Sequence, residues 1–185
     1  MTVDLDKHIG RVPDFPKPGI LFYDVTTLFL DPEALRHAID ELADFARSKQ
    51  IDYVASAEAR GFVLGAAVAA AAGAGFILGR KPGKLPREVS SVEYQLEYGV
   101  DALEVHADAV RGGARVLVHD DLLATGGTAR ALCDLVEQAG GVVAGCAFVI
   151  ELGFLNGRER LAGYDVHSLV TYDSDQPSAR GGPGE

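Results

Sequence analysis

Residues 116–128 read VLVHDDLLATGGT, and no other stretch limits the fold of this chain so narrowly. An apolar run of strand length passes into two acids, then a Thr-Gly-Gly-Thr turn, then residues with helical patterning. A strand feeding a glycine turn and a helix is the repeating unit of α/β proteins, whose parallel strands are joined by helical crossovers. The turn also carries chemistry. Gly126 and Gly127 let backbone amides approach a ligand with no side chain in the way, and the following helix directs its positive end to the same spot. Ala124, Thr125, Gly126, Gly127 and Thr128 thus form a candidate phosphate site that needs almost no formal charge. It is not the Walker pattern, because no Lys follows the second glycine, and GxGxxG is absent. Asp120 and Asp121 would repel a phosphate but can accept hydrogen bonds from a vicinal diol, which sets a sugar beside the phosphate. An isolated acid pair would merely cap a turn. His119, a single His in an apolar strand, reads as a core residue and receives no role.

The remainder of the chain alternates helical and strand-like segments without an internal repeat or linker, the pattern of an α/β fold with a largely parallel sheet. Asp31-Pro32-Glu33 is a helix start: Asp caps, Pro suits the first turn, and the acid complements the dipole. Leu35, Ile39, Leu42 and Phe45 then recur at helical spacing and predict one buried stripe. Strands are expected at 53–57, 76–78, 115–119, 142–150 and 166–170, and helices at 62–72 and 128–139. Residues 80–98, RKPGKLPREVSSVEYQLEY, show no sustained apolar period and read as a long exposed excursion of the kind that forms lids and binding loops. One domain is expected over residues 1–173, with a disordered Gly- and Pro-rich tail at 174–185.

A net charge of -10 argues against a broad nucleic-acid footprint, so an anionic ligand must be held locally. Residues 62–79 are uncharged, yet they are mostly Gly and Ala and are broken by Gly73-Ala74-Gly75. They read as a buried helix, turn and strand, with no membrane span. The first residues, MTVDLDKHIG, lack the apolar run of a secretory signal, and a cytoplasmic location is expected. Cys133 and Cys146 fit neither a metal-ligand spacing nor a disulfide framework, and they read as packed thiols.

With the acids and the turn in register, residues 116–128 resemble the signature of the type I phosphoribosyltransferases. PDFPKPGI at 13–20, EARGF at 58–62, RKPGKLP at 80–86 and LEYG at 96–99 are similar, in order and spacing, to the adenine phosphoribosyltransferases. The resemblance covers about residues 12–170. It implies an α/β fold with a mostly parallel central sheet flanked by helices, a small N-terminal hood and a mobile lid loop. It also implies a homodimer that converts adenine and 5-phosphoribosyl 1-diphosphate to AMP and diphosphate in purine salvage. Magnesium would ride on the donor's diphosphate, with no ligand from the protein itself.

In that assignment Asp120 and Asp121 hold the ribose hydroxyls, and Ala124 to Thr128 hold the 5'-phosphate. Leu21, through its backbone, Phe22 and Leu122 take the adenine. Glu97 assists proton movement at the purine, and Tyr98 shields the diphosphate. The implied chemistry asks for cations, because breaking the C1' bond releases a diphosphate from an oxocarbenium-like centre. Arg60, Lys81, Lys84 and Arg87 supply them, and Arg60, between a strand and a helix, is the best fixed. Tyr23 stands where the family commonly has an Arg, which removes a cation from that segment. A transferase for a 6-oxo purine, or a non-catalytic ribose-phosphate-binding regulator, would share the donor half of the site. Retention of the basic loop and LEYG argues against the regulator, while the two transferases differ in the base they accept.

Overall fold

The computed structural model describes residues 3–95 and 100–174. A 3-10 turn, Leu5–His8, leads into a hairpin of β1 (Gly10–Pro13) and β2 (Leu21–Asp24), followed by α1 (Thr26–Phe29) and α2 (Pro32–Ser48). Next come β3 (Tyr53–Ala57), α3 (Gly61–Ala72) and β4 (Gly75–Gly79), a parallel crossover. A second antiparallel pair, β5 (Val89–Gln95) and β6 (Val100–His106), precedes β7 (Arg115–Leu123), α4 (Gly127–Gln138) and β8 (Val142–Leu152). The short helix α5 (Gly157–Arg160) then leads to β9 (Val166–Tyr172).

Five strands form one parallel sheet in the order β4-β3-β7-β8-β9. The chain steps outward from β3 to β4 and returns on the other side of β3 as β7. Strand order therefore reverses between β3 and β7, and a crevice opens there at the carboxyl ends of the strands. Helices α2 and α3 cover one face, with Leu42, Leu64 and Val68 packed on Val54, Leu117 and Val149. Helix α4 covers the other, where Leu132, Leu135 and Val136 meet Val116, Val118 and Phe148. Each such fully buried aliphatic side chain contributes on the order of 1.5–3 kcal/mol.

Helix α2 starts as its sequence predicts, since the Asp31 carboxylate accepts from the Glu33 and Ala34 amides, both at 2.9 Å. Its buried seam is displaced from the predicted stripe. Ala34, Ala38, Leu42 and Ala46 are fully buried, while Leu35, Ile39 and Phe45 flank them partly buried. Small side chains let α2 lie close against the equally small α3, and the larger ones fill the edges of the groove. Residues 62–79 are helix, turn and strand, with Gly73 in the left-handed region at the end of α3. Among the described residues no helix is long and apolar enough to cross a membrane.

The excursion at 80–98 is corrected in part. Residues 89–95 pair with β6 in full register, and Leu103 and Val105 enter the core beneath them. Their alternation was hidden by Ser90, Ser91 and Glu93, because a hairpin with one solvated face shows only half the apolar signal. β7 also runs four residues further than the predicted 115–119, so Asp120 and Asp121, expected between strand and turn, belong to the strand. Cys133 and Cys146 are free thiols, buried as expected, with their sulfurs 3.7 Å apart between α4 and β8.

Candidate active site

The crevice between β3 and β7 is walled on one side by the acids of β7. Asp120 lies over the start of α3, and a β-carbon on Gly61 would come 2.6 Å from its Oδ1, so only glycine admits the carboxylate there. The positive end of α3 favours an acid at that position. The Asp121 amide donates to Asp120 Oδ1 at 2.9 Å, and Arg60 Nε donates to Asp121 Oδ2 at 2.6 Å. The Arg60 guanidinium also lies over the Phe22 ring, 5.7 Å from its centroid. Burial, and then the neighbouring Asp121 charge, pushes the Asp120 carboxyl well above the usual carboxylate range. Burial also opposes the Arg60 charge, but Asp121, Asp120 and Asp24 outweigh it and hold the guanidinium protonated.

The opposite wall comes from the turn after β3 and the strand leaving β4. Glu58 is ion-paired with Arg80 and accepts from the Lys81 amide at 3.2 Å. The Lys81 ammonium rests on Asp101, and Tyr94 donates its hydroxyl to the same carboxylate at 3.2 Å. Burial opposes ionisation of Glu58 and Lys81, yet their partners dominate, lowering the Glu58 pKa and raising that of Lys81. Sequence reasoning assigned no role to Glu58, Arg80, Tyr94 or Asp101. Glu58 opens the EARGF segment at a strand's carboxyl end, which was a readable signal; Arg80 reaches it through the pairing of β3 with β4, and Tyr94 and Asp101 meet Lys81 only through the β5-β6 hairpin.

Lys84 is exposed and close enough to Glu58 to help lower its pKa. Arg87 pairs with Asp108 at 2.9 Å on the surface and does not line the crevice. Glu97 and Tyr98 lie outside the described residues.

Two cavities adjoin here. A cleft of about 250 Å³ is lined by Glu58, Arg60, Lys81 and Asp121, and a pocket of about 70 Å³ by Leu122 through Ala129 at the start of α4. Asp120 and Thr128 line both, so the two spaces share a wall. Gly126 has φ +81°, and a β-carbon there would meet the Gly157 carbonyl oxygen at 2.5 Å. That glycine is therefore required by packing against α5, a reason different from the open approach to a ligand predicted for it.

Phe22, which lies under the Arg60 guanidinium, meets Phe15 edge-on at 5.1 Å. Tyr23 turns the other way, 6% exposed, and stacks on Tyr172 at 4.0 Å. Its side chain thus packs the hood onto β9, and the predicted loss of a cation beside the site gives way to a core contact. Leu21 and Leu122 pack into the same cluster, partly buried. His119 is a core residue whose Nδ1 is 2.9 Å from the Ala147 carbonyl oxygen, so that the neutral ring donates there. Burial lowers its pKa to about 4.

A pocket at a helix start that adjoins a cation-lined cleft across an acid of β7, at a parallel sheet's switch point, suits a phosphoribosyltransferase. The phosphoribosyl transferase domain family matches residues 27–176. The adenine phosphoribosyltransferase of Rubrobacter xylanophilus is 64% identical over 166 residues, covering 89% of this chain and 90% of its own. The crystal structure of that enzyme from Thermoanaerobacter pseudethanolicus superposes with a TM-score of 0.88 at 49% identity, covering 91% of this chain and 98% of that one. The Saccharomyces cerevisiae enzyme, complexed with D-2,5-dideoxy-2,5-imino-altritol 1,6-bisphosphate and adenine, gives 0.83 at 38% identity over 90% and 96%. The chain belongs to the adenine phosphoribosyltransferase family.

Proposed function

We propose that the protein transfers the phosphoribosyl group of 5-phosphoribosyl 1-diphosphate to N9 of adenine, releasing AMP and diphosphate. The observation that carries this reading is the pair of adjoining cavities joined at Asp120 and Thr128. The donor has a phosphate at one end, a vicinal diol in the middle and a diphosphate at the other. Ala124 to Thr128 take the 5'-phosphate, and Asp120 and Asp121 accept from the ribose hydroxyls. Arg60 and Lys81 face the diphosphate with Lys84 nearby, and Tyr98 is assigned to it by resemblance; Arg87 would have to leave Asp108 to join them. Adenine lies against Phe22 and Leu122, its edge read by the Leu21 backbone; the adenine bound to the yeast relative supports this choice of base.

As the C1' to oxygen bond breaks, its electron pair leaves with diphosphate, and the N9 lone pair of adenine forms the new bond. Arg60 and Lys81 stabilise the departing charge, and the Asp121 carboxylate beside Arg60 offsets the positive charge that develops on the ribose. The proton shed by the purine goes to Glu97. Magnesium would enter on the donor's diphosphate, and Asp121 on the cleft wall suits contact with such a hard cation. When bound, that ion neutralises diphosphate charge.

The reading extends to one catalytic domain over residues 1–173, active in the cytoplasm as a homodimer. Val63 on α3 and Leu78 on the edge strand β4, 51% and 39% exposed, offer an apolar face for a second copy. Incubation with adenine, the donor and magnesium should yield AMP and diphosphate in equal amounts, and no AMP above background overturns the reading. Preference for hypoxanthine, guanine or xanthine would redirect it to a 6-oxo purine enzyme. Tight donor binding without turnover would make the protein a regulator.

A further inference from the structure

Behind the small pocket the fold builds a polar bracket, a buried carboxylate held by a half-exposed guanidinium. Glu151, near the end of β8, is 5% exposed. Arg158 of α5 grips it with two parallel hydrogen bonds, Nε to Oε1 at 2.6 Å and Nη2 to Oε2 at 2.7 Å. Ser168 of β9 donates to Oε2 at 2.6 Å, and Arg158 Nη1 donates to the Val166 carbonyl oxygen at 2.9 Å. Burial opposes the Glu151 charge, yet Arg158 and Ser168 outweigh it, so the carboxylate stays ionised and the bracket intact.

The bracket touches the phosphate loop through one residue. Gly157 precedes Arg158 and lies directly under the loop: a β-carbon on it would come 2.2 Å from the Ala124 carbonyl oxygen. From the other side, a β-carbon on Gly126 would come 2.5 Å from the Gly157 carbonyl oxygen. Two backbones meet here with no side chain between them, so the height of the loop follows the position of Gly157. Gly157 is joined to Arg158, whose guanidinium is held by Glu151 and the Val166 carbonyl oxygen.

We infer that Glu151 and Arg158 are positioning residues for the donor, bracing the ribose-phosphate loop from behind through Gly157. They touch no ligand themselves. The arrangement also explains why an ion pair is retained here, where a packed apolar pair would often serve stability as well. A bidentate guanidinium and carboxylate set a defined distance and plane, which an aliphatic contact does not. Small displacements of a binding group are costly, with about 1 Å capable of a hundredfold loss.

The inference rests on the reading of Ala124 to Thr128 as the phosphate site, and the test separates the two. Glu151→Gln and Arg158→Lys preserve size while breaking the charged bidentate grip. In the full chain, dissociation constants for ribose 5-phosphate are measured by calorimetry, and KM is measured separately for the donor and for adenine. Both variants should weaken ribose 5-phosphate and raise the donor KM about tenfold, corresponding to about 1.4 kcal/mol, with the adenine KM within about twofold of the parent. Ser168→Ala, which removes one contact to Glu151, should shift the same constants in the same direction by less. A lowered melting temperature with both donor constants unchanged would make the bracket merely structural and overturn the inference. So would equal rises in the two KM values. If the parent binds ribose 5-phosphate but makes no AMP, the proposed reaction fails while the calorimetric arm still decides the bracket. If the parent makes AMP and the variants bind ribose 5-phosphate normally, the bracket alone fails.

Discussion

Asp120 and His119 are neighbours on β7, and their titrations act on stability in opposite directions. The folded pKa of Asp120 is raised, so above the unfolded value near 3.8 the folded state binds more protons than the unfolded chain. Stability from this group is present at low pH and is lost as pH rises towards the folded value. Asp120→Asn should therefore raise the melting temperature at pH 7, with the gain vanishing below pH 3.8, while the donor KM rises at least about tenfold. A thermal scan across pH, paired with donor kinetics, checks both parts; an unchanged donor KM would remove Asp120 from the ribose. His119 runs the other way, because its folded pKa of about 4 lies below the unfolded 6.5. The unfolded chain binds the extra proton, so stability falls as pH drops from 6.5 to about 4, by roughly 3 kcal/mol in all. His119→Val should flatten that acid limb in urea titrations, and an unaltered limb would show that the ring is not buried neutral.

Among the elements, the loop before α4 gives the sharpest contrast between what a sequence states and what packing adds. The strand, turn and helix order was legible because glycines and threonines have few other uses in that pattern, and the Asp31 cap was legible because capping is local. The direction in which Gly126 is crowded was not, since α5 reaches it from some 30 residues further along the chain. Gly126→Ala should therefore cost stability of about 1–2 kcal/mol from its left-handed backbone alone, with a further cost from displacement of Gly157. Circular-dichroism melts of the apo protein check this, because a residue constrained only by ligand approach would leave the apo melt untouched. The β5-β6 hairpin was illegible for a related reason. Its apolar residues occupy one face only, and Lys81 finds Asp101 and Tyr94 only once the two strands pair. Glu97 and Tyr98 rest on resemblance alone.

At the scale of the molecule, the site is divided between two bodies. The donor half belongs to the parallel sheet, and the proposed base contacts Leu21 and Phe22 belong to the N-terminal hairpin. The two are joined by Tyr23 stacked on Tyr172, by the Tyr172 hydroxyl donating to Asp6 at 2.7 Å, and by Arg11 over the Tyr172 ring. An aromatic pair of this kind is worth about 0.5–1.5 kcal/mol beyond its area. Tyr172→Leu should raise the adenine KM about fivefold and leave ribose 5-phosphate affinity unchanged, a separation that competition calorimetry can read. Parallel losses would show that hood and sheet act as one unit.

The two cations that line the cleft, and Arg80 behind its Glu58 wall, are already occupied. Arg60 rests on Asp121, Arg80 on Glu58 and Lys81 on Asp101, within a chain of net charge -10. An arriving anion must displace a resident carboxylate at each step, so association is a change of partners with little net gain per charge. A singly anchored ion such as inorganic phosphate has small leverage in that exchange, whereas a ligand that brings several charges on one frame displaces all three residents together. On this footing, the internal acids should make inorganic phosphate a weaker ligand of the cleft than diphosphate, a difference that calorimetry with the two ions would read.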